Sequence, residues 1–172
     1  VTRSSGYKNV LLIDSTGIVR GYYPNQDTMI GDHLKQMFPD LLKLETGILT
    51  DLHKTDKIDY IHLDLVVPLI NTWRNDTSVF GLLAIRIDPR EILYPLVQTW
   101  PVPGKTTESL LVRQEGNEIL YLSELRFRKN SELELRKSLS EEMLTEAMAV
   151  RGFKETADGV DYKGASVLAA RR

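Results

Sequence analysis

The stretch that most constrains this chain is "IDYIHLDLVVPLI", Ile58 to Ile70. Its β-branched and aliphatic density between polar flanks predicts one long strand. At a period of two, Ile61, Leu63, Leu65, Val67 and Leu69 share one face, which is expected to seek a core. Tyr60, His62, Asp64, Val66 and Pro68 share the other. A second apolar run, "SVFGLLAIRID", follows the polar turn "NTWRNDT", so the two read as a hairpin. That register sets His62 near Arg86 and Asp64 near Ala84, which gathers Tyr60, His62, Asp64 and Arg86 on one side of a sheet. An arginine with a tyrosine can fix a carboxylate, and Asp64 can pair an ammonium. The competing expectation is a solvated face whose Asp–Arg pair contributes little. Tyr22 and Tyr23 either border the same space or cover the sheet edge, and alternation leaves the direction of Arg20 open.

Upstream, "NVLLIDSTGIVRGYY" reads as a hairpin turning at Ser15-Thr16-Gly17, with Gly17 supplying a positive φ. After the loop "PNQDTMIGD", "HLKQMF" reads as a helix capped by Asp32 and closed by Pro39. "DLLKLETGILTDLHKT" reads as one or two short helices broken at Gly47. Beyond the long hairpin, Asp88, Pro89 and Glu91 make a helix start with a capping box, and Pro95 is expected to kink or end that helix within two turns. "PVPGK" is the chain's Pro/Gly-rich joint, and places a boundary between residues 1–100 and 101–172.

After the joint the pattern restarts. "SLLVRQEGNEILYL" is again strand, glycine turn, strand, with Gly116 laid on Gly17. "SEEMLTEAMAVRG" reads as an amphipathic helix with Met143, Ala147 and Val150 on one side and Gly152 as its stop. Asp161-Tyr162 echoes Asp59-Tyr60. A loosely repeated module follows from these matches, the second copy lacking a fourth strand and so expected to be cut short.

The 172 residues carry a formal net charge of −2, with no basic footprint for nucleic acid. No run reaches a membrane span. The absence of cysteine removes disulfides and thiolate chemistry. Phosphate-loop, zincin, nucleophile-elbow and calcium-loop motifs are missing. His33, His53 and His62 fall on a helix, a loop and a strand, so no metal or cofactor is expected. Asn75-Asp76-Thr77 matches a glycosylation acceptor by chance. The mixed-charge segment "ELRFRKNSELELRKSLSEE" reads as a solvated surface.

Two copies of hairpin, helical crossover and long hairpin, joined by "DPREILYPLVQTWP", resemble the double Cache (tandem PAS-like) extracytoplasmic sensors of prokaryotic transmembrane receptors. "NVLLIDSTGIVRGYY", "IHLDLVVPLI", "GLLAIRIDPREILYPLVQTWP", "ESLLVRQEGNEILYLSEL" and "GVDYKGASVLAARR" are similar to segments of such sensors, in the expected order. The resemblance implies an α+β fold of two antiparallel sheets flanked by helices. Residues 1–100 would be the membrane-distal lobe and 101–172 an incomplete membrane-proximal lobe, without the long N-terminal helix that normally precedes them. It also implies a non-enzymatic domain on the periplasmic or extracellular side of the membrane, a homodimer in the full receptor, and output through a histidine kinase (two-component) or diguanylate cyclase module. A small-molecule ligand would sit in the distal lobe, near Tyr60, His62, Asp64, Arg86 and Tyr22. Two other readings compete: a cytoplasmic PAS-type interaction module that binds nothing, and a small hydrolase using His62 and Asp64.

Overall fold

The computed structural model describes residues 6–24, 30–55, 58–72, 78–99 and 105–170. Most of the loop "PNQDTMIGD", the turn holding Asn75-Asp76-Thr77, and most of the "PVPGK" joint lie outside the described residues. The chain is an α+β protein built on antiparallel sheets with few helices. It divides into two compact units, Val1–Pro95 and Leu96–Arg172. No helix among the described residues is long and apolar enough to cross a membrane.

In the first unit, β1 (Tyr7–Asp14) and β2 (Val19–Tyr23) form the expected hairpin. Asp14 organises its turn. Its Oδ1 accepts from the backbone N–H of Thr16 (2.9 Å) and Ile18 (3.0 Å), and Gly17 takes φ +84°. Arg20, whose direction alternation left open, reaches back to Asp14 Oδ2 at 2.6 Å. Helix α1 (Asp32–Leu41) follows. Gly31, not Asp32, occupies its N-cap position, and the helix runs through Pro39 to Leu41. Proline deletes one interior N–H, and packing of the buried Leu34 and Leu41 outweighs that loss.

The segment expected to be helical around Gly47 is extended. Its short strands β3 (Ile48–Leu49) and β4 (His53–Thr55) both pair antiparallel with β5 (Ile58–Ile70). Asp40 and Leu41 end α1, and beyond Gly47 helix propensity is overridden because β5 offers Ile48 and Leu49 a backbone ladder. β5 pairs with β6 (Val79–Ile87), and β6 with β1, so the strand order is β2-β1-β6-β5-β3, with β4 also on β5. β1 and β6 approach closely at Gly81, where an added Cβ would lie 2.6 Å from the Ile13 carbonyl oxygen.

The expected core face is buried only at one end of β5, where Ile61 and Leu63 are each 5% exposed, and the opposite face is buried as well. The core cluster contains Leu11, Ile13, Val66, Leu82 and Ala84, closed by Ile30, Leu34 and Leu41. Cross-strand rows Leu11–Ala84–Val66 and Ile13–Leu82–Pro68 carry it. The buried core face is therefore the one that includes His62 and Asp64. On the other face Ile61 and Leu63 are buried, while Leu65, Val67 and Leu69 are only half-buried and Leu12 on the same side is 41% exposed.

Asp88 Oδ1 accepts from the Arg90 backbone N–H, capping the turn that precedes α2 (Leu93–Thr99). The helix begins later than the capping box implied. Pro95 falls in its first turn, where no intrahelical N–H bond is required, so α2 continues to Thr99.

In the second unit β7 (Val112–Glu115), β8 (Glu118–Tyr121) and β9 (Arg136–Ser138) form one antiparallel sheet. Gly116 turns the first hairpin with φ +59°. The core gathers Ile119, Tyr121, Leu125, Leu135, Leu144, Ala147 and Tyr162. Helix α3 (Thr145–Val150) stops at Gly152, whose φ is +91°. Met143 precedes the helix and is 58% exposed, so it does not share the buried side with Ala147. β10 (Ala157–Val160) and β11 (Ser166–Ala169) make a separate hairpin. Asp161-Tyr162 sits in its turn, whereas Asp59-Tyr60 lies within β5, so the two are not structural equivalents. The true twin of the 161–165 turn is 14–18. Asp161 Oδ1 accepts from the N–H of Lys163 (2.8 Å) and Ala165 (2.9 Å), and Gly164 takes φ +83°.

Candidate functional site

Beyond the last apolar row of the first unit's core face comes a polar one. Arg86 stands opposite Asp64 on one side and Asn9 on the other, and all three are at most 3% exposed. Arg86 Nε donates to Asp64 Oδ1 at 3.2 Å. The pairing is shifted by two residues from the expected one, with a register shift at Leu69/Ile70 contributing. The solvated ion pair is also ruled out, because both side chains are at least 98% buried. Arg86 and Asp64 are held there by flanking strands and by the start of α1. Gly31 comes within 4.0 Å of Arg86 Nη2 and 3.8 Å of the Thr55 methyl, measured from a Cβ position.

Below this pair the chain's three histidines converge. β4 sets His53 directly opposite His62 in the ladder, with ring centroids 4.2 Å apart. His33, from the first turn of α1, stacks against His53 at 4.4 Å. Tyr60 is half-buried with its ring 5.6 Å from His62. The backbone of Thr50 locks the neighbouring segment onto β5. Its N–H donates to the Asp64 carbonyl at 2.9 Å, while its hydroxyl accepts from the Asp64 N–H at 2.8 Å.

The orientation of the rings is set by backbone carbonyls. Nδ1 of His53 lies 2.8 Å from the Asp51 carbonyl, and Nδ1 of His62 lies 3.1 Å from that of Tyr60. A carbonyl only accepts, so each Nδ1 carries the proton and each neutral ring turns its Nε2 lone pair the other way. Burial is the main cause that pulls His62 down to about 4, so its ring is neutral near pH 7. His33 is also lowered, by burial first and then by His53 beside it. Among the described residues, Nε2 of His33, His53 and His62, Oγ1 of Thr55 and Oδ2 of Asp64 are buried without a hydrogen-bond partner. Such groups are costly unless something satisfies them. Three of these residues, His53, His62 and Asp64, bring one ring nitrogen or carboxylate oxygen each within 4.8 Å of one another.

Of the expected ligand residues, Tyr60, His62, Asp64 and Arg86 are brought together. Tyr22 is not. It lies on edge strand β2, 44% exposed, with β1 and β6 between it and β5. At ordinary strand spacing that is roughly 14 Å. His53 and His33 join the site although their sequence spacing gave no sign of convergence. The available signal was the placing of His53 and His62 on either side of Asp56-Lys57, which a hairpin reading of 53–62 would have faced across a ladder.

No family model matches this chain, and no curated protein matches it.

Proposed function

We propose that this chain is the extracytoplasmic ligand-sensing part of a prokaryotic transmembrane receptor of the double Cache kind. It would pass a small-molecule signal to a histidine kinase or diguanylate cyclase module elsewhere in the polypeptide. The observation that carries the reading is the polar cluster sealed into the core face of the first unit. A module that binds nothing gains little from burying His53, His62 and Asp64 with unsatisfied atoms, whereas a receptor uses such atoms for its ligand. Support also comes from the element order of that unit: hairpin, helix, long hairpin, then the Asp88-capped turn and α2. The chain itself performs no chemistry in this reading. A ligand acts by favouring one of two arrangements of the receptor, and a homodimer gives that shift a partner to work against.

The test is a thermal-shift screen of small organic acids, amino acids and related metabolites on the 172-residue chain. A specific ligand at about a hundred times its dissociation constant stabilises by roughly 2.7 kcal/mol. His62→Gln and the charge-free double variant Asp64→Leu/Arg86→Met should abolish that shift while keeping the folded baseline. A full shift in both variants would move the ligand out of this cluster and remove the reading's main support.

A further inference from the structure

The buried acceptors have a chemistry of their own. Among the described residues, His53, His62 and Asp64 each offer one ligand atom, and all three atoms lie within 4.8 Å of one another. His53 Nε2 and Asp64 Oδ2 are 3.9 Å apart. We propose that these three atoms hold a divalent transition-metal ion of the zinc class, and that the ion is the ligand, or part of the ligand, that this domain receives. The proposal rests on the reading of the cluster as a receiving site for its biological meaning, but not for the binding itself.

Four features support it. First, all three atoms are lone-pair donors to a metal, with no proton among them when the histidines are neutral. Three acceptors this close can share a cation between them. Second, both imidazoles have their outer shell in place, since each Nδ1–H is bonded to a backbone carbonyl, the arrangement that fixes tautomer and ring direction in histidine metal sites. The carboxylate is likewise held, its Oδ1 by Arg86 and its Oδ2 turned to the histidines. Third, the spacing is near what coordination requires. Ligands about 2.0–2.1 Å from a tetrahedral zinc stand roughly 3.3 Å apart, so the His53–Asp64 pair at 3.9 Å closes by about half an ångström and the widest pair, within 4.8 Å, by up to about 1.5 Å. Fourth, one of the three ligands lies nearest the surface. His62 and Asp64 are sealed, while the His53 side chain keeps 13% of its exposure.

Two imidazoles and one carboxylate select among cations. They suit zinc, cobalt or nickel, and not calcium or magnesium, which take mostly oxygen. Arg86 cancels the carboxylate charge, which weakens the site relative to one with unopposed carboxylates. Three protein ligands also leave a fourth position open, where a small anion or a chelating metabolite binds the metal directly.

The experiment uses the tag-free chain, stripped with a chelator and then titrated with Zn(II), and in parallel with Co(II), Ca(II) and Mg(II). Wild type should take up one equivalent of Zn(II), and Co(II) should give the visible bands of a tetrahedral nitrogen–oxygen site. Ca(II) and Mg(II) should leave the chain unchanged. His62→Ala and His53→Ala should each weaken Zn(II) by about 100-fold or more, and Asp64→Asn by about 10–100-fold. His53→Ala is the control for folding, because His53 is the most accessible of the three and its loss least disturbs the core. No Zn(II) uptake by wild type, or unchanged uptake in the His53/His62 double variant, overturns the metal site. If an organic ligand still stabilises the chain in that case, the receptor reading survives alone. If Zn(II) binds as described but Asp64→Asn keeps full protection by an organic ligand, the metal site survives and the receptor reading of the cluster fails.

Discussion

Replacing Arg86 with methionine removes one charge from a pair that is almost wholly inside the protein. At 3.2 Å the charges attract by about 5 kcal/mol for an effective dielectric near 20. Withdrawing each ion from water costs several kcal/mol, so the intact pair is close to neutral in its net effect. Arg86→Met keeps the attraction from forming but leaves the Asp64 carboxylate buried without its guanidinium. The expected loss is about 3–5 kcal/mol, against about 0–1 kcal/mol for an exposed pair. That is a large share of what holds a domain folded. The double variant Asp64→Leu/Arg86→Met removes both charges and should recover most of the loss. Because the chain has two units, the readout must be local. Amide exchange of β5 and β6 under increasing urea, with chelator present to keep metal out, isolates the first unit. A single-variant loss under 1 kcal/mol, or a double variant that simply adds the two single losses, would refute the claim that these charges are buried and coupled.

Two further outcomes follow from the packing. Gly81→Ala places a methyl group 2.6 Å from the Ile13 carbonyl, so β1 and β6 must part, and denaturation should show a loss of about 1–3 kcal/mol. In the second unit, the buried Tyr121 hydroxyl donates to Glu146 Oε1 at 2.9 Å, and burial, with the Glu146 charge next, raises the phenol far above its ordinary value. A raised folded value keeps the neutral phenol, so its contribution is complete below the unfolded value near 10 and falls as pH rises beyond it. Tyr121→Phe should therefore cost about 1.5–3 kcal/mol at pH 7, the range for a bond to a charged group, and flatten the loss of stability above pH 10. An alkaline limb as steep in Tyr121→Phe as in wild type would contradict that assignment.

Local rules made much of the fold legible. Gly17 and Gly116 announced their hairpins, and the length and branching of 58–70 announced β5. What failed was the step from pattern to environment. A strand bearing His62 and Asp64 invites the inference that its polar side faces out, yet burial of apolar residues is a one-way rule. Here Asp64 finds Arg86 across the ladder and the histidines find each other, so the polar side could go in while Leu65 and Val67 stay half-covered. Pro95 was overweighted because it stands in the first turn of α2, where its missing N–H would not have bonded, and Pro39 because the packing of Leu34 and Leu41 outweighs the bond it deletes. The site was hidden for a different reason. Leucine, lysine and glutamate in 41–49 favour a helix on their own, and a helical reading of that stretch never lays His53 against β5. Side chains from α1, β4 and β5 meet only after a pairing that depends on the whole sheet.

The placing of His53 has a physical corollary. Its strand is three residues long and hangs on the side of β5, whereas His62 and Asp64 belong to a thirteen-residue strand gripped on both flanks. Anything that bridges them rivets the least supported piece of the sheet to its most supported piece. Arrival of the ligand would then be written as a tightening of residues 50–55, a change in how often that margin opens rather than a change in shape.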